Sequence, residues 1–330
     1  MSNKPHPGQW SDPLRSDEVE LSNQAYKELC EISWAQPLVG DDKVRKALTY
    51  AINLPLGLSS NKDYDSIVNA KSAFFELRFA RAILNAQCGC TYEFKTGVEK
   101  TSVDFKIKKP DEENSWLVEL TTLRDSEAVK KATTQNGNTF TYTSSITTEN
   151  IENAAEVVDI MRTQKAIVGK VYNADKGKPI KFPKIQSGQK DYHVIIIDMR
   201  GFNIGACDGF DCQNILYGSE YVARTQKEDA WALVRFWVNK DGRKEPVKGI
   251  FEAFCSHEGF EHLRERIHAV GFISEQSFLG NEMNRGYDNQ GSQKDVGIKL
   301  FPNPLFYNVF QEIREKWPLF TSKPSIDAND

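Results

Sequence analysis

The stretch that most constrains this chain is residues 101–122, TSVDFKIKKPDEENSWLVELTT, which sets two strand patterns across a turn and places an acid in each. Val103, Phe105 and Ile107 alternate with Asp104, Lys106 and Lys108, the period-two signature of a half-buried strand. Pro110, Asp111, Glu112 and Asn114 supply turn chemistry, and residues 116–120 run back as a second strand. Because strand side chains alternate faces, Glu119 and Thr121 share one side of that strand, and Asp104 meets them across the hairpin if the register allows. An acid at the end of the apolar run Trp116-Leu117-Val118 needs compensation. A bound Mg2+ or Mn2+ taking oxygen ligands would provide it, and so would a structural hydrogen bond.

Helical patterns flank the hairpin. Residues 73–87 contain good helix formers and no Gly or Pro, with Ala73, Leu77, Ala80, Ile83 and Leu84 on one face. Glu76 falls inside that apolar stripe, where a carboxylate is expensive unless paired or bound to a cation; Arg81 or a backbone donor is the plain alternative. Over residues 150–172, Val157, Met161, Val168 and Val171 line up turn after turn with Gln164 in the middle. Lys165 borders the line and Lys170 points nearly opposite. The wheel therefore ranks Lys165 as the cation for a site and Lys170 as a solvated surface charge. A locally satisfied amide and a snorkelling lysine are the plain readings of Gln164 and Lys165.

Taken in order, Glu76, Asp104, Glu119, Thr121 and the pair Gln164-Lys165 resemble the PD-(D/E)XK, or restriction-endonuclease-like, nuclease superfamily. The likeness is to an order of chemistry spread over residues 72–170. The strand pattern of residues 193–198 (HVIIID) suits the fourth core strand of that fold. Val103-Asp104 stands where Pro-Asp is common, and Glu119-Leu120-Thr121 stands where Glu-x-Lys is usual. The resemblance implies an α/β fold with a central mixed sheet flanked by helices. It also implies metal-assisted hydrolysis of a phosphodiester, with Asp104, Glu119, the Leu120 carbonyl and Glu76 around Mg2+, for which Mn2+ can substitute. Thr121 departs from the motif, and Lys165 on the following helix, beside Gln164, would then supply the missing lysine. If neither side chain reaches the site, a relative that binds nucleic acid without cutting it is the expectation.

At 330 residues with an apolar fraction of 39%, the chain can bury a proper core. The expected organisation is an N-terminal tail and helical extension over 1–60, a nuclease-like domain over 61–320 and a tail over 321–330. No apolar run approaches the roughly 20 residues needed to span a bilayer, and the polar start MSNKPHPGQWSDP lacks a signal peptide's apolar core. Cytoplasmic location is the expectation. The six cysteines include Cys88-Gly-Cys90 and Cys207-x4-Cys212, neither with the usual zinc spacing, and read as reduced thiols. A net charge of -4 argues mildly against a general polyanion binder. Locally, however, residues 165–184 carry six lysines opposed only by Asp175. Such a run is either a solvated face or a nucleic-acid contact. DNA is the expected partner, RNA the other candidate, and a homodimer the oligomer that paired cutting of two strands implies.

Elsewhere, residues 16–60 read as two short helices with a break at 54–57, and 133–148 as a polar loop or small hairpin about Asn136-Gly137. Residues 231–238 and 249–254 read as strands that would extend the sheet, 257–275 as a helix and strand, 280–294 as a loop, and 305–317 as a last helix. His257, His262 and His268 lack the i, i+4 metal spacing and read as structural or surface groups.

Overall fold

The computed structural model describes Leu14 and residues 16–53, 64–124, 133–136, 139–142, 155–201, 209–225, 234–239, 241–253, 255, 257–273, 283 and 297–319. Helix α1 spans Ser16–Leu29, with Asp17 and Glu18 in its first turn and Lys27 in its last, the charge order that suits the helix dipole. A 3-10 turn, Ser33–Ala35, leads into the short α2, Gln36–Val39, with proline at its start. Helix α3 spans Asp42–Asn53 and α4 spans Tyr64–Asn85. This N-terminal helical extension packs on the sheet. Ala25, Leu29, Leu38, Val44 and Leu48 share one core with Phe74, Leu77 and Phe79 of α4 and with Phe105, Trp116 and Val118 of the sheet.

Strands β1 (Gly89–Lys95), β2 (Ser102–Lys108) and β3 (Ser115–Arg124) follow as a meander, so the sequence-derived hairpin is present. A small hairpin pairs β4 (Thr133–Asn136) with β5 (Thr139–Tyr142). Helix α5 is Ala155–Val168, and a second small hairpin pairs β6 (Tyr172–Asn173) with β7 (Lys178–Pro179). Next come β8 (Asp191–Gly201), α6 (Gly209–Tyr217), α7 (Ser219–Thr225), β9 (Phe236–Val238) and β10 (Lys244–Pro246). The chain continues with α8 (Glu258–Arg264), β11 (Ala269–Ile273), β12 (Lys299–Pro302) and α9 (Tyr307–Glu315).

The central sheet has six strands in the order β1-β2-β3-β8-β11-β12. Pairing is antiparallel on both flanks and parallel for β3/β8 and β8/β11, which gives the mixed sheet that was expected. Alternation along β3 and β8 divides the core into two layers. Trp116, Val118, Leu120, Val194 and Ile196 pack on the α1–α4 side, whereas Leu117, Ile195, Ile197 and Met199 pack with Val157, Ile160 and Ile167 of α5 and with α6. Helices on both faces explain why β8 reads as a continuous apolar run. The first layer also buries a charged chain. Arg200 binds Asp198 through Nε and Nη2 at 2.8 and 2.7 Å, and Arg78 bridges Glu18 of α1 and Asp198 at 3.5 and 3.8 Å.

Two sequence expectations fail here. The described part of the 249–254 run, residues 249–253, adds no strand: the Ile250 and Phe251 amides donate to the Ile215 and Leu216 carbonyls at the end of α6, so this backbone is used as a helix cap. Strands β9 and β10 form their own two-stranded sheet and do not extend the central one. Residues 54–57, Cys207, 231–233, most of 280–294 and the tail 320–330 lie outside the described residues. Among those described, no helix is long and apolar enough to cross a membrane.

Candidate active site

The β2/β3 ladder runs from Lys108↔Ser115 to Phe105↔Val118 and stops one residue short of Asp104 and Glu119. Beyond that point side chains replace backbone partners. Oδ2 of Asp104 accepts from the Leu120 amide at 2.6 Å, and Oε2 of Glu119 accepts from the Asp104 amide at 3.3 Å. Meanwhile β3 stays in the sheet through β8, with Glu119 opposite Ile195 and Leu120 opposite Ile196. The strands thus part as a fork that holds both acids. The break coincides with an irregularity in β1, where Glu93 takes the left-handed φ of +50° between the pairs Tyr92↔Phe105 and Phe94↔Val103. Tyr92 and Phe105 pack in the α4 layer, while Phe94 and Val103, two residues further along, pack in the α5 layer.

Glu119 is fully buried, and its Oε1 carries two amines. Lys170 Nζ donates at 2.9 Å, and Lys181 Nζ also donates to it. Both lysines are about a quarter exposed, so the cluster reaches the surface through them. Lys181 is held by its own backbone at a φ of +61°. Its amide donates to Thr101 Oγ1 at 2.7 Å, and its carbonyl accepts from Thr96 Oγ1 in the turn between β1 and β2. Glu76 comes to the fork from α4 and accepts from the Tyr92 hydroxyl at 2.8 Å. Arg81, the partner first considered for it, binds Glu28 at 2.7 and 2.9 Å instead.

These charges feel one another. Burial, then the Glu119 carboxylate, pushes Asp104 up to about 7, against the pull of Lys170 and Lys181. Burial likewise raises Glu76, with Glu119 adding to it while Tyr92 and Lys170 oppose. Burial alone would lower Lys170, but Glu119 and Asp104 outweigh it and the ammonium holds its proton more tightly than usual. Burial and Glu76 raise the Tyr92 phenol, which stays a hydrogen-bond donor.

The structure thus brings together Glu76, Asp104 and Glu119. Leu120 belongs with them: the N–H and C=O of one strand residue face the same neighbour, so a carbonyl whose amide meets Asp104 also faces the fork. Thr121 is half-buried on the Glu119 face of β3. Gln164 and Lys165 do not join. The buried Gln164 amide donates to the Ile215 and Lys248 carbonyls at 3.0 and 2.7 Å, and Lys165 is exposed. The wheel ranking of the two lysines is reversed because α5 ends at Val168. Lys170 sits in the following turn, where helical phase no longer applies. Lys181 and Tyr92 were missed, and only the lysine run 165–184 hinted at the former.

The donor set is all oxygen, the kind Mg2+ and Mn2+ take, and the raised Asp104 and Glu76 carboxyls mark a place where a cation would relieve repulsion. Among the described residues, Asp104 Oδ1 and Glu76 Oε1 make no hydrogen bond. Also among them, no three His, Cys, Asp or Glu side chains stand close enough together to cage a metal as placed. Glu119 Oε1 is held by amines in this state. Comparison with family models, curated proteins and solved structures gave no match.

Proposed function

We propose that this chain is a metal-dependent endonuclease of the PD-(D/E)XK type that hydrolyses phosphodiester bonds in DNA, with its lysine supplied from outside the Glu-x-Thr motif. The observation that supports it is the fork itself: three acids gathered there, of which Asp104 and Glu76 are raised by burial and by Glu119, with Asp104 and Glu119 bonded across parted strands and two ammonium groups on Glu119. Asp104, Glu119, the Leu120 carbonyl and Glu76 would hold Mg2+ or Mn2+. Bound there, the ion supplies Lewis-acid polarisation of the phosphate and a lowered pKa for the attacking water.

The rest of the work falls to the chain. Glu119 Oε1 cannot serve a cation and two amines together, so Lys170 and Lys181 are the groups left to face the phosphate oxygens and offset their charge. Tyr92 orients Glu76, and the Leu120 amide orients Asp104. A cytoplasmic role in restriction or defence, and a homodimer that cuts both strands, extend this reading by analogy of fold alone.

A second reading is favoured by the amines on Glu119: a nuclease-fold protein whose acid is permanently neutralised and which binds nucleic acid or protein without cutting. Incubation with supercoiled plasmid, linear duplex and single-stranded RNA, in Mg2+ and in chelator, separates the two. The nuclease reading expects Mg2+-dependent nicking or linearisation of DNA that Glu119→Gln abolishes. Retention of DNA with no cleavage in Mg2+ or Mn2+ would support the binding module.

A further inference from the structure

A cavity away from the fork lies at the opposite end of the sheet, beyond β12, between the end of α6, α7, residues 251–253 and residues 302–307. It measures about 460 Å³, within the range of small-ligand sites and suited to a single mononucleotide-sized molecule. Its walls are aromatic and fixed. The Tyr217 ring lies 4.8 Å from that of Tyr221 and 6.2 Å from that of Phe251, and the Tyr217 hydroxyl donates to the Pro302 carbonyl at 2.8 Å. Behind them, Gly218 has a φ of +83° and a side chain on Gly249 would run into the Gly218 amide at 2.3 Å, so the two backbones touch and the wall cannot slide.

At the mouth, Tyr221 and Tyr307 are 42% and 70% exposed, two of the four large apolar side chains left exposed among the described residues. Exposed aromatic faces gathered at a concave apolar surface mark a binding site. The rim carries both signs of charge. Lys248 binds Glu220 and Glu252 at 3.2 and 3.1 Å, and Arg224 binds Glu220 at 3.2 Å from a largely solvated position. Carboxylates accept from the exocyclic amine of a base, a guanidinium grips phosphate, and tyrosine faces stack on planar rings.

We infer that this cavity binds an amino-bearing nucleobase with its phosphate toward Arg224, either as a free mononucleotide or as one unit of a strand. The inference does not depend on the chemistry at the fork. Calorimetry in chelator with AMP, CMP, GMP, UMP, adenosine and a short single-stranded oligonucleotide tests it. Saturable binding is expected, tighter for AMP, CMP and GMP than for UMP, and weakened roughly tenfold or more by Tyr221→Ala or Tyr307→Ala. Arg224→Ala should weaken AMP and leave adenosine unchanged, while Glu119→Gln alters neither. Equal affinity for mononucleotide and oligonucleotide assigns the free nucleotide; a gain for the oligonucleotide that Tyr307→Ala removes assigns a strand. No saturable binding in the millimolar range, binding undiminished in both tyrosine variants, or binding of a proline-rich peptide in place of every nucleotide would overturn it.

Discussion

Lys181 and Glu119 form an ion pair across 62 residues of sequence, with the lysine backbone clamped by Thr96 and Thr101 in the left-handed region and the carboxylate fully buried on β3. The pair joins the turn between β1 and β2 to the fork, so one contact sets both the position of the loop and the charge of the site. Lys181→Met is expected to lower cleavage by about a hundredfold or more in single-turnover assays, the usual effect of losing one electrostatic contact to a developing anion. A change confined to KM would assign Lys181 to binding instead.

Lys170 and Lys165 lie five residues apart in the chain and differ in their surroundings. Lys170→Met should lose cleavage by a similar factor, because Nζ lies 2.9 Å from Glu119, whereas Lys165→Met should cut at the wild-type rate because the side chain is exposed. Equal losses in both variants would contradict the placement of α5 and its following turn.

Gln164 separates structure from chemistry. Gln164→Leu takes the side-chain donor from the Lys248 carbonyl and one of two donors from the Ile215 carbonyl, which keeps the Ile250 amide, and should destabilise the fold by about 1–3 kcal/mol. Chemical denaturation reads that loss. Cleavage per folded molecule should stay unchanged, since the amide faces α6 and residue 248.

Asp104 makes stability depend on pH in a defined direction. Its carboxyl is raised from 3.8 to about 7 in the folded chain, so the fold favours the protonated form. That contribution is complete below pH 3.8 and is lost as pH rises through about 7. Glu76, raised for the same reason, acts in the same sense. Wild-type stability should therefore fall between about pH 4 and 7, and Asp104→Asn should flatten the profile. Cation binding requires the ionised acid, so affinity for Mg2+ should rise over the same interval. A Mg2+ affinity independent of pH there would contradict the assignment.

Much of this fold was legible because period-two and period-3.6 patterns report burial directly, as in β2, β3, α4 and β8. Glu76, Asp104 and Glu119 were legible for a related reason: each is an acid inside an apolar pattern. What escaped depends on chain outside regular elements. Lys170 follows the end of α5, Lys181 sits at positive φ in a loop, and no periodicity assigns a direction to either. Residues 249–253 look like part of a strand, yet Ile250 and Phe251 cap a helix, since an apolar run does not say which carbonyls its amides will meet. The N-terminal helical extension was legible too, but not its attachment, which Leu29, Leu38 and the Glu18–Arg78 pair make to the rest of the fold.

The central claim is that the fork between β2 and β3 is a divalent-cation site, and Mn2+ titration followed by electron paramagnetic resonance tests it most directly. The wild-type chain should bind Mn2+ with an affinity that increases toward pH 7, with binding lost in Asp104→Asn and Glu119→Gln variants that remain folded. Mn2+ binding of equal strength in both variants, or none in the wild type with or without a DNA duplex, would contradict it.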